Sequence, residues 1–258
     1  MKAIILAGGL PSTIIEENEK VPKPMAEIGG RPLLWHIMKH YSYYGYRDFM
    51  ICTGYKGAVI KDYFMNFYIY QSDITVDLQT NEIKVHRKQT EDWRVSILDT
   101  GQNSSIMERL CMTRSYLEQE PVLVAYGDCL SDIDLSAMVH SHRNAGQVAT
   151  LAVSYPTGRN EILDMEPNGT SLGRKTGAKP EAWVNACNMI LEPRAFEYLE
   201  ENIRAPYASS LIDCLAQKEE VHTYRHVGFW SPVETRRDKT WLEDLWHRGQ
   251  APWKIWDD

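Results

Sequence analysis

An apolar run near the N-terminus, broken by two glycines, constrains the fold of this chain more than any other feature. Residues 2–7 form a continuous β-prone run, which is typical of a central parallel strand covered on both faces. The run is too short for the apolar part of a signal peptide. Gly8 and Gly9 follow at once, and such a pair lets the backbone approach a ligand and point N–H groups at its phosphates. The same pair also suits an ordinary strand-to-helix turn.

Strands and helices alternate along the remaining chain. Apolar runs predict strands at residues 48–53, 94–98, 122–126, 148–155 and 184–191. Helical spacing predicts a helix that Pro32 opens and Gly45 ends, and further helices at residues 58–70, 106–117, 135–142, 194–202 and 241–246. Alternating side chains predict an antiparallel hairpin at residues 74–78 and 83–86. Residues 156–180 are polar and glycine-rich and are predicted to form mostly loops and short strands.

This alternation predicts an α/β fold with a mainly parallel, doubly wound, Rossmann-like sheet. The hairpin is a small insertion in that pattern, and the chain ends in a helical and aromatic tail. A length of 258 residues suits one α/β domain. We therefore predict a single domain over residues 1–258, with a core at 1–225 and a C-terminal segment at 226–258.

A second strand end carries a glycine followed by an acid. Gly127 and Asp128 come directly after the predicted strand at residues 122–126. Ligands of doubly wound sheets lie beyond the carboxyl ends of the strands, so we expect Asp128 to share a cleft with Gly8 and Gly9. A carboxylate at this place suits Mg²⁺, which takes oxygen ligands and shares them with phosphates. An aspartate after a strand is also common as a turn residue or helix cap.

Lys23 stands between two prolines, Pro22 and Pro24. Because proline restricts its own backbone and that of the preceding residue, the ammonium group is presented from a stiff segment. Beside a glycine loop it would neutralise phosphate charge, although a lone surface lysine is usually just solvated. Lys23 and Asp128 together suit phosphoryl transfer, in which positioning and charge neutralisation supply most of the catalysis.

The composition narrows the range of partners. Lysine and arginine number 28 against 35 acids, a net charge of -7, which argues against a non-specific nucleic-acid binder. The five cysteines show no CxxC spacing and are expected to be free thiols in a reducing cytoplasm. No stretch approaches the ~20 apolar residues of a membrane span.

Two weaker candidates lie around the first predicted helix. His36 and His40 share a helix face at metal-ligand spacing, but packing is the favoured interpretation because no carboxylate is nearby in sequence. The aromatic cluster Tyr41, Tyr43, Tyr44 and Tyr46 suits either base stacking or, preferably, a core or subunit interface. We expect a homo-oligomer.

Several motifs in order resemble the glucose-1-phosphate cytidylyltransferases of the sugar-1-phosphate nucleotidyltransferase superfamily. They lie at residues 1–9, 22–30, 34–39, 54–57, 99–101, 126–128, 228–230, 237–239 and 251–254, and so cover essentially the whole chain. The resemblance implies condensation of CTP with a sugar 1-phosphate, giving a CDP-sugar and pyrophosphate with Mg²⁺, as part of nucleotide-sugar biosynthesis.

The resemblance also implies roles for individual residues. Lys23 and Asp128 would be catalytic, and Asp128 and Glu234 would hold the metal. The remaining positions would bind the nucleotide (Leu6, Ala7, Gly8, Gly9, Lys23 and Arg109) or the sugar phosphate (Tyr126, Lys175 and Asn185).

The phosphate loop departs from the family pattern. The family has glycine, threonine and arginine where this chain has Pro11, Ser12 and Thr13, and lysine where it has Val21. Proline has no N–H to donate, and neither threonine nor valine supplies a charge. Each charge-assisted phosphate contact is worth roughly 1.5–3 kcal/mol, so weak triphosphate binding is expected.

Other departures lie further along the chain. Met107-Glu108 replaces a glycine pair and is expected to add bulk and negative charge beside the base. Lys175-Thr176 replaces a Glu-Lys pair, Ala186-Cys187 replaces a second glycine pair, and Glu234 replaces an aspartate. Two functions remain open: nucleotidyl transfer with an altered site, and an inactive homologue that acts as a binding or scaffolding subunit.

Overall fold

The computed structural model describes residues 1–9, 21–87, 90–155, 163–165, 171–174, 183–204 and 210–257. The strands are β1 (Ala3–Ala7), β2 (Glu27–Ile28), β3 (Arg31–Pro32), β4 (Asp48–Thr53), β5 (Asp73–Asp77), β6 (Glu82–Arg87), β7 (Arg94–Asp99), β8 (Val122–Tyr126), β9 (Cys129–Ser131), β10 (Ala149–Ser154), β11 (Leu163–Met165), β12 (Ser171–Arg174), β13 (Val184–Leu191), β14 (Val221–Arg225) and β15 (Trp230–Pro232). The α-helices are α1 (Leu33–Tyr43), α2 (Gly57–Tyr70), α3 (Ile106–Thr113), α4 (Leu135–Ala145), α5 (Pro193–Arg204), α6 (Leu211–Ala216) and α7 (Arg236–His247). Short 3₁₀ turns lie at Lys23–Met25 and Arg114–Tyr116.

Seven of the described strands form the central sheet, in the order β14-β10-β13-β8-β1-β4-β7. β1 lies in the middle and pairs in parallel with both β4 and β8, while β13 runs antiparallel to β8 and β10. The predicted α/β class with a mainly parallel sheet is confirmed, and β5 and β6 form the predicted hairpin.

The packing of β1 explains its unbroken apolar sequence. Ala3, Ile5 and Ala7 belong to the apolar cluster on one side of the sheet, and Ile4 belongs to the cluster on the other side. Ile4 and Ile5 are both wholly buried. Each such side chain contributes about 1.5–3 kcal/mol on burial, so the strand is held from both faces. Its carboxyl end is thereby fixed beside those of β4 and β8.

Helix α1 is covered by the C-terminal segment. His36 donates from Nε2 to the Ile28 carbonyl oxygen at 2.8 Å, and Trp253 donates from Nε1 to His36 Nδ1 at 3.4 Å. Trp246 and Trp256 contact the same imidazole. Burial lowers the pKa of His36 and of His40 to about 4. Both histidines are therefore neutral packing residues, as the favoured interpretation held.

Some element boundaries differ from the sequence-based expectations. The helix expected at residues 106–117 ends at Thr113 and continues as a 3₁₀ turn. Helix α7 begins at Arg236, earlier than expected, because Thr235 and Asp238 form a capping box before it. The six-residue helix α6 and the strand β14 were missed, since β14 lies at a sheet edge and carries few apolar side chains.

All five cysteines are free thiols, as expected. No helix among the described residues is long and apolar enough to cross a membrane.

Candidate active site

A cleft of about 700 Å³ opens at the carboxyl ends of the central strands. It brings together most of the predicted site residues, namely Leu6, Gly8, Gly9, Lys23, Arg109, Tyr126 and Asp128. The Gly127 N–H donates to the Leu6 carbonyl oxygen at 3.0 Å, which ties the two glycine-bearing strand ends to each other. Ala7 does not border the cleft, because its side chain is buried in the apolar cluster that includes α1.

Lys23 and Asp128 form an ion pair in the cleft. Lys23 Nζ lies 2.8 Å from Asp128 Oδ2, and the two side chains are 23% and 29% exposed. Lys23 opens the 3₁₀ turn that follows Pro22, and the buried Pro24 fixes this turn against the protein. Lys23 is therefore not merely solvated. Asp128 lies in the turn between β8 and β9, but it does not cap helix α4, whose N-cap is Asp134. This pair is accessible to solvent and can exchange partners with a phosphate and a cation.

Arg109 lies at the opposite wall and is only 4% exposed. Its Nη1 donates to the Thr53 carbonyl oxygen at 3.1 Å and to Thr100 Oγ1 at 2.7 Å. Its Nη2 donates to the carbonyl oxygens of Gly8 at 2.7 Å and Gln102 at 3.2 Å. The two Nη atoms of the guanidinium therefore bind four oxygens of the protein itself.

Tyr126 and Asn185, both predicted to bind substrate, are joined to each other. A hydrogen bond links their side chains, and burial raises the pKa of Tyr126 to about 12. Asn185 Oδ1 also accepts from the Cys187 N–H at 2.9 Å, and Cys187 has a positive φ of 62°. The Tyr126 hydroxyl therefore stays protonated at neutral pH and offers a hydrogen bond, not a charge.

Glu234 reaches the neighbourhood of Asp128 through the backbone. Strand β15 pairs with β9, and the Val233 N–H donates to the Asp128 carbonyl oxygen at 2.8 Å. Glu234 follows directly and is exposed. Within the described part of the chain, no group of three or more His, Cys, Asp or Glu side chains could hold a metal ion. The two carboxylates are hard oxygen donors, which suit a cation that also takes phosphate and water oxygens.

The expectation that Met107 adds bulk beside the base is wrong. Met107 is buried in the core, so its side chain does not narrow the cleft. Glu108 accepts from the Ser105 N–H at 2.6 Å as part of a capping box at the start of α3. These backbone and side-chain hydrogen bonds with Ser105 lower the pKa of Glu108. Its carboxylate caps the helix end, and its charge also acts on Arg109.

Some site residues were missed by the sequence reasoning, and others lie beyond the described residues. Gln102, Asn103 and Ser104 follow β7 and border the cleft. The strand-end rule that pointed to Gly8 and Asp128 would have found them, had it been applied to β7. Lys175 and the positions Pro11, Ser12, Thr13 and Thr176 lie outside the described residues.

Comparisons with known proteins identify the family of this chain. The nucleotidyl transferase family model matches residues 2–161. The chain is 41% identical over 258 residues to a glucose-1-phosphate cytidylyltransferase of Salmonella typhi, covering 100% of both chains. It is 33% identical over 257 residues to a probable glucose-1-phosphate cytidylyltransferase of Bacillus subtilis, covering 99% of this chain and 100% of the relative.

A solved structure shares the fold at low sequence identity. The UDP-glucose pyrophosphorylase of Acinetobacter baumanii superposes with a TM-score of 0.68 at 17% identity, covering 97% of this chain and 95% of the other. The structural likeness supports the fold, and the full-length identity supports the closer relationship. The chain therefore belongs to the nucleotidyl transferase family, and within it to the glucose-1-phosphate cytidylyltransferases.

Proposed function

We propose that the protein transfers a cytidylyl group from CTP to a sugar 1-phosphate and releases pyrophosphate. The observation that carries this proposal is the solvent-accessible pair of Lys23 and Asp128, 2.8 Å apart in the cleft of a chain related over its full length to cytidylyltransferases. Full-length identity to these enzymes favours an active transferase over an inactive binding or scaffolding subunit.

In the proposed reaction, a phosphate oxygen of the sugar 1-phosphate attacks the α-phosphorus of CTP. The new P–O bond forms as the bond between the α-phosphorus and the bridging oxygen to the β-phosphorus breaks. Pyrophosphate leaves with that electron pair, and no proton transfer is needed. Lys23 would exchange Asp128 for a phosphate oxygen and neutralise phosphate charge. Because Lys23 stands on a stiff turn, its backbone needs little reorganisation for this exchange.

Asp128 and Glu234 are the residues that would hold Mg²⁺. When bound, such an ion neutralises phosphate charge and helps to align the reacting oxygens. Release of Lys23 from Asp128 would free the carboxylate for this role. Gly9, Tyr126 and Asn185 would then orient the two substrates by hydrogen bonds, with Lys175 at the sugar phosphate by resemblance.

We also propose that the protein is a cytoplasmic homo-oligomer. Several large apolar side chains near the end of α2 and on the hairpin are exposed, among them Met65, Tyr70 and Leu78. Exposed apolar patches of this kind are typical of interaction surfaces. Light scattering at micromolar concentration would give the assembly size.

A pyrophosphate-release assay tests the reaction. CTP, UTP, dTTP and GTP are each combined with glucose 1-phosphate and other sugar 1-phosphates, with and without Mg²⁺. We expect turnover with CTP and Mg²⁺, and a loss of about a hundredfold or more in Asp128→Asn. The Asp128→Asn variant should melt within a few degrees of the wild type, because the ion pair is partly exposed.

The assay can contradict the proposal in two ways. Turnover with another nucleotide but not with CTP would keep the transferase and reject the cytidylyl specificity. If no combination releases pyrophosphate above the level of Asp128→Asn, the chain is not a transferase, and the binding-subunit alternative replaces it.

A further inference from the structure

Two of the five free cysteines contact each other beside the cleft. Cys129 begins β9 directly after Asp128, and Cys187 lies on β13, two residues after Asn185. A hydrogen bond links the two thiols. Cys129 Sγ also donates to Asp128 Oδ1 at 3.5 Å, which is the carboxylate oxygen that Lys23 does not bind. The pair of thiols therefore touches the carboxylate that is proposed to hold the metal.

The backbone at Cys187 is unusual for a residue with a side chain. Its φ of 62° lies in the left-handed region, which is strained for a residue with a Cβ atom and open to glycine. Such strain persists where the surroundings hold it, and here Asn185 Oδ1 accepts from the Cys187 N–H at 2.9 Å. This backbone holds the Cys187 thiol against Cys129. A strained residue that presents a reactive group points to a use for that group.

The two thiols differ in accessibility. Cys129 is 7% exposed, whereas Cys187 is half-buried. A small oxidant therefore reaches Cys187 first, and Cys129 is the neighbouring thiol that can resolve the product. Among the described residues, no group of three or more His, Cys, Asp or Glu side chains could hold a metal ion, so redox chemistry suits the pair better than metal binding.

We propose that Cys129 and Cys187 form an oxidation site, at which hydrogen peroxide converts the two thiols to a disulfide and so disables the cleft. The Cys187 sulfur attacks one peroxide oxygen, the O–O bond breaks, and the first water leaves with the thiol proton. The Cys129 sulfur then attacks the sulfenic acid on Cys187. The S–S bond forms as the S–O bond breaks, and a second water leaves with the Cys129 proton. The two thiols lose two electrons, and one peroxide is reduced to two water molecules.

The disulfide would act on the cleft through Asp128. It removes the thiol proton that Cys129 donates to Asp128 Oδ1, and it draws β9 towards β13, because bonded sulfur atoms lie closer than hydrogen-bonded ones. A shift of ~1 Å in a catalytic group can cost about a hundredfold in rate, so we expect oxidation to lower kcat about tenfold or more. The inference rests on the proposed function only for this effect on turnover.

Thiol counting and peptide mapping test the site without a nucleotide. After treatment with a small molar excess of hydrogen peroxide, the reduced protein should fall from five free thiols to three, since the two of the pair are lost. A digest made without reductant should contain the peptides of Cys129 and Cys187 joined to each other. Dithiothreitol should restore all five thiols, which a sulfinic acid would not allow.

Matched variants assign the effect on turnover, each compared with the same variant before treatment. Cys187→Ser should keep its turnover after peroxide. Cys187→Gly should do so as well, and it is a second variant whose backbone suits the positive φ. Cys111→Ser is the control, because Cys111 is also half-buried but lies on α3. The Cys111→Ser protein should lose turnover as the wild type does and recover it with dithiothreitol.

The proposal is overturned if the treated protein yields no joined peptide, or if Cys187→Ser loses turnover as readily as the wild type. A joined peptide with unchanged turnover would overturn it too, because the disulfide would then not act on Asp128. If the reduced wild type turns over no nucleotide, the proposed function fails. The joined peptide and its loss on reduction then still decide whether the pair is an oxidation site.

Discussion

The ionisable side chains of the cleft and those under the aromatic cover of α1 lie in opposite environments. The aromatic cover consists of Trp246, Trp253 and Trp256, which contact His36. In the cleft, Lys23 and Asp128 form a partly exposed ion pair. Under the cover, His36 and His40 are buried and neutral, and tryptophans from the C-terminal segment surround His36. In the sequence, both pairs are candidates for binding a substrate or a metal ion. Their burial distinguishes them, since an ionisable group can exchange partners with a substrate only where solvent and ligands reach it.

The largest effect should be on the stability of the aromatic cover. Trp253 is wholly buried against His36 and Phe229, so Trp253→Ala should lower the free energy of unfolding by about 3–5 kcal/mol. Trp241→Ala is the matched control, because Trp241 is 47% exposed and on α7. Urea unfolding measures both. Equal losses in the two variants would mean that the cover does not stabilise the fold through burial.

Substitutions in the cleft should reduce activity and leave the stability nearly unchanged. Lys23→Met removes the ammonium group with little change in length, so we expect kcat/KM for CTP to fall about a hundredfold, as for loss of one preorganised charge. The free energy of unfolding should change by less than about 1 kcal/mol, because the ion pair is partly exposed. Lys39→Met is a control, since Lys39 also forms an ion pair outside the cleft, with Glu91. A comparable activity loss in Lys39→Met would mean that the effect of Lys23→Met is not specific to the cleft.

The histidines of α1 should make stability depend on pH. Burial holds the pKa of both at about 4, below the ordinary value of 6.5. Between these values the unfolded chain takes up protons that the folded chain does not. Stability is thus fully present above pH 6.5 and is lost as the pH falls towards 4.

From pH 7 to pH 5 we expect a loss of about 2 kcal/mol for each histidine at most, measured by urea unfolding. His40→Leu removes one of the two histidines and should reduce the dependence of the unfolding free energy on pH. Leucine breaks no hydrogen bond of Nε2, because His40 Nε2 has no hydrogen-bond partner in the described structure. Asp132, Asp134 and His226 also interact electrostatically with His40. An unchanged slope in His40→Leu would mean that His40 does not cause the pH dependence.

The sequence predicted the cleft better than it predicted what each residue does there. Apolar runs and glycines are local features of the sequence, and they predicted the sheet. The rule that ligands lie beyond the strand ends then predicted that Gly8 and Asp128 lie in one cleft. The engagement of Arg109 depends on oxygens from three separate segments, which no spacing reveals. The same holds for Met107 and Glu108, whose directions depend on how α3 packs against the sheet.

Glu108 provides the smallest and most specific prediction. If its carboxylate caps α3 instead of facing a base, Glu108→Gln should cost about 0.5–1 kcal/mol of stability or less, because glutamine also serves in a capping box. The relative kcat/KM values for CTP, UTP and GTP should stay unchanged. Ser105→Ala removes the other half of the box and should destabilise the protein by a similar or larger amount, again without altering nucleotide preference. A shift in nucleotide preference in Glu108→Gln alone would place the carboxylate beside the base after all, and the cleft wall would then differ between the free and the bound protein.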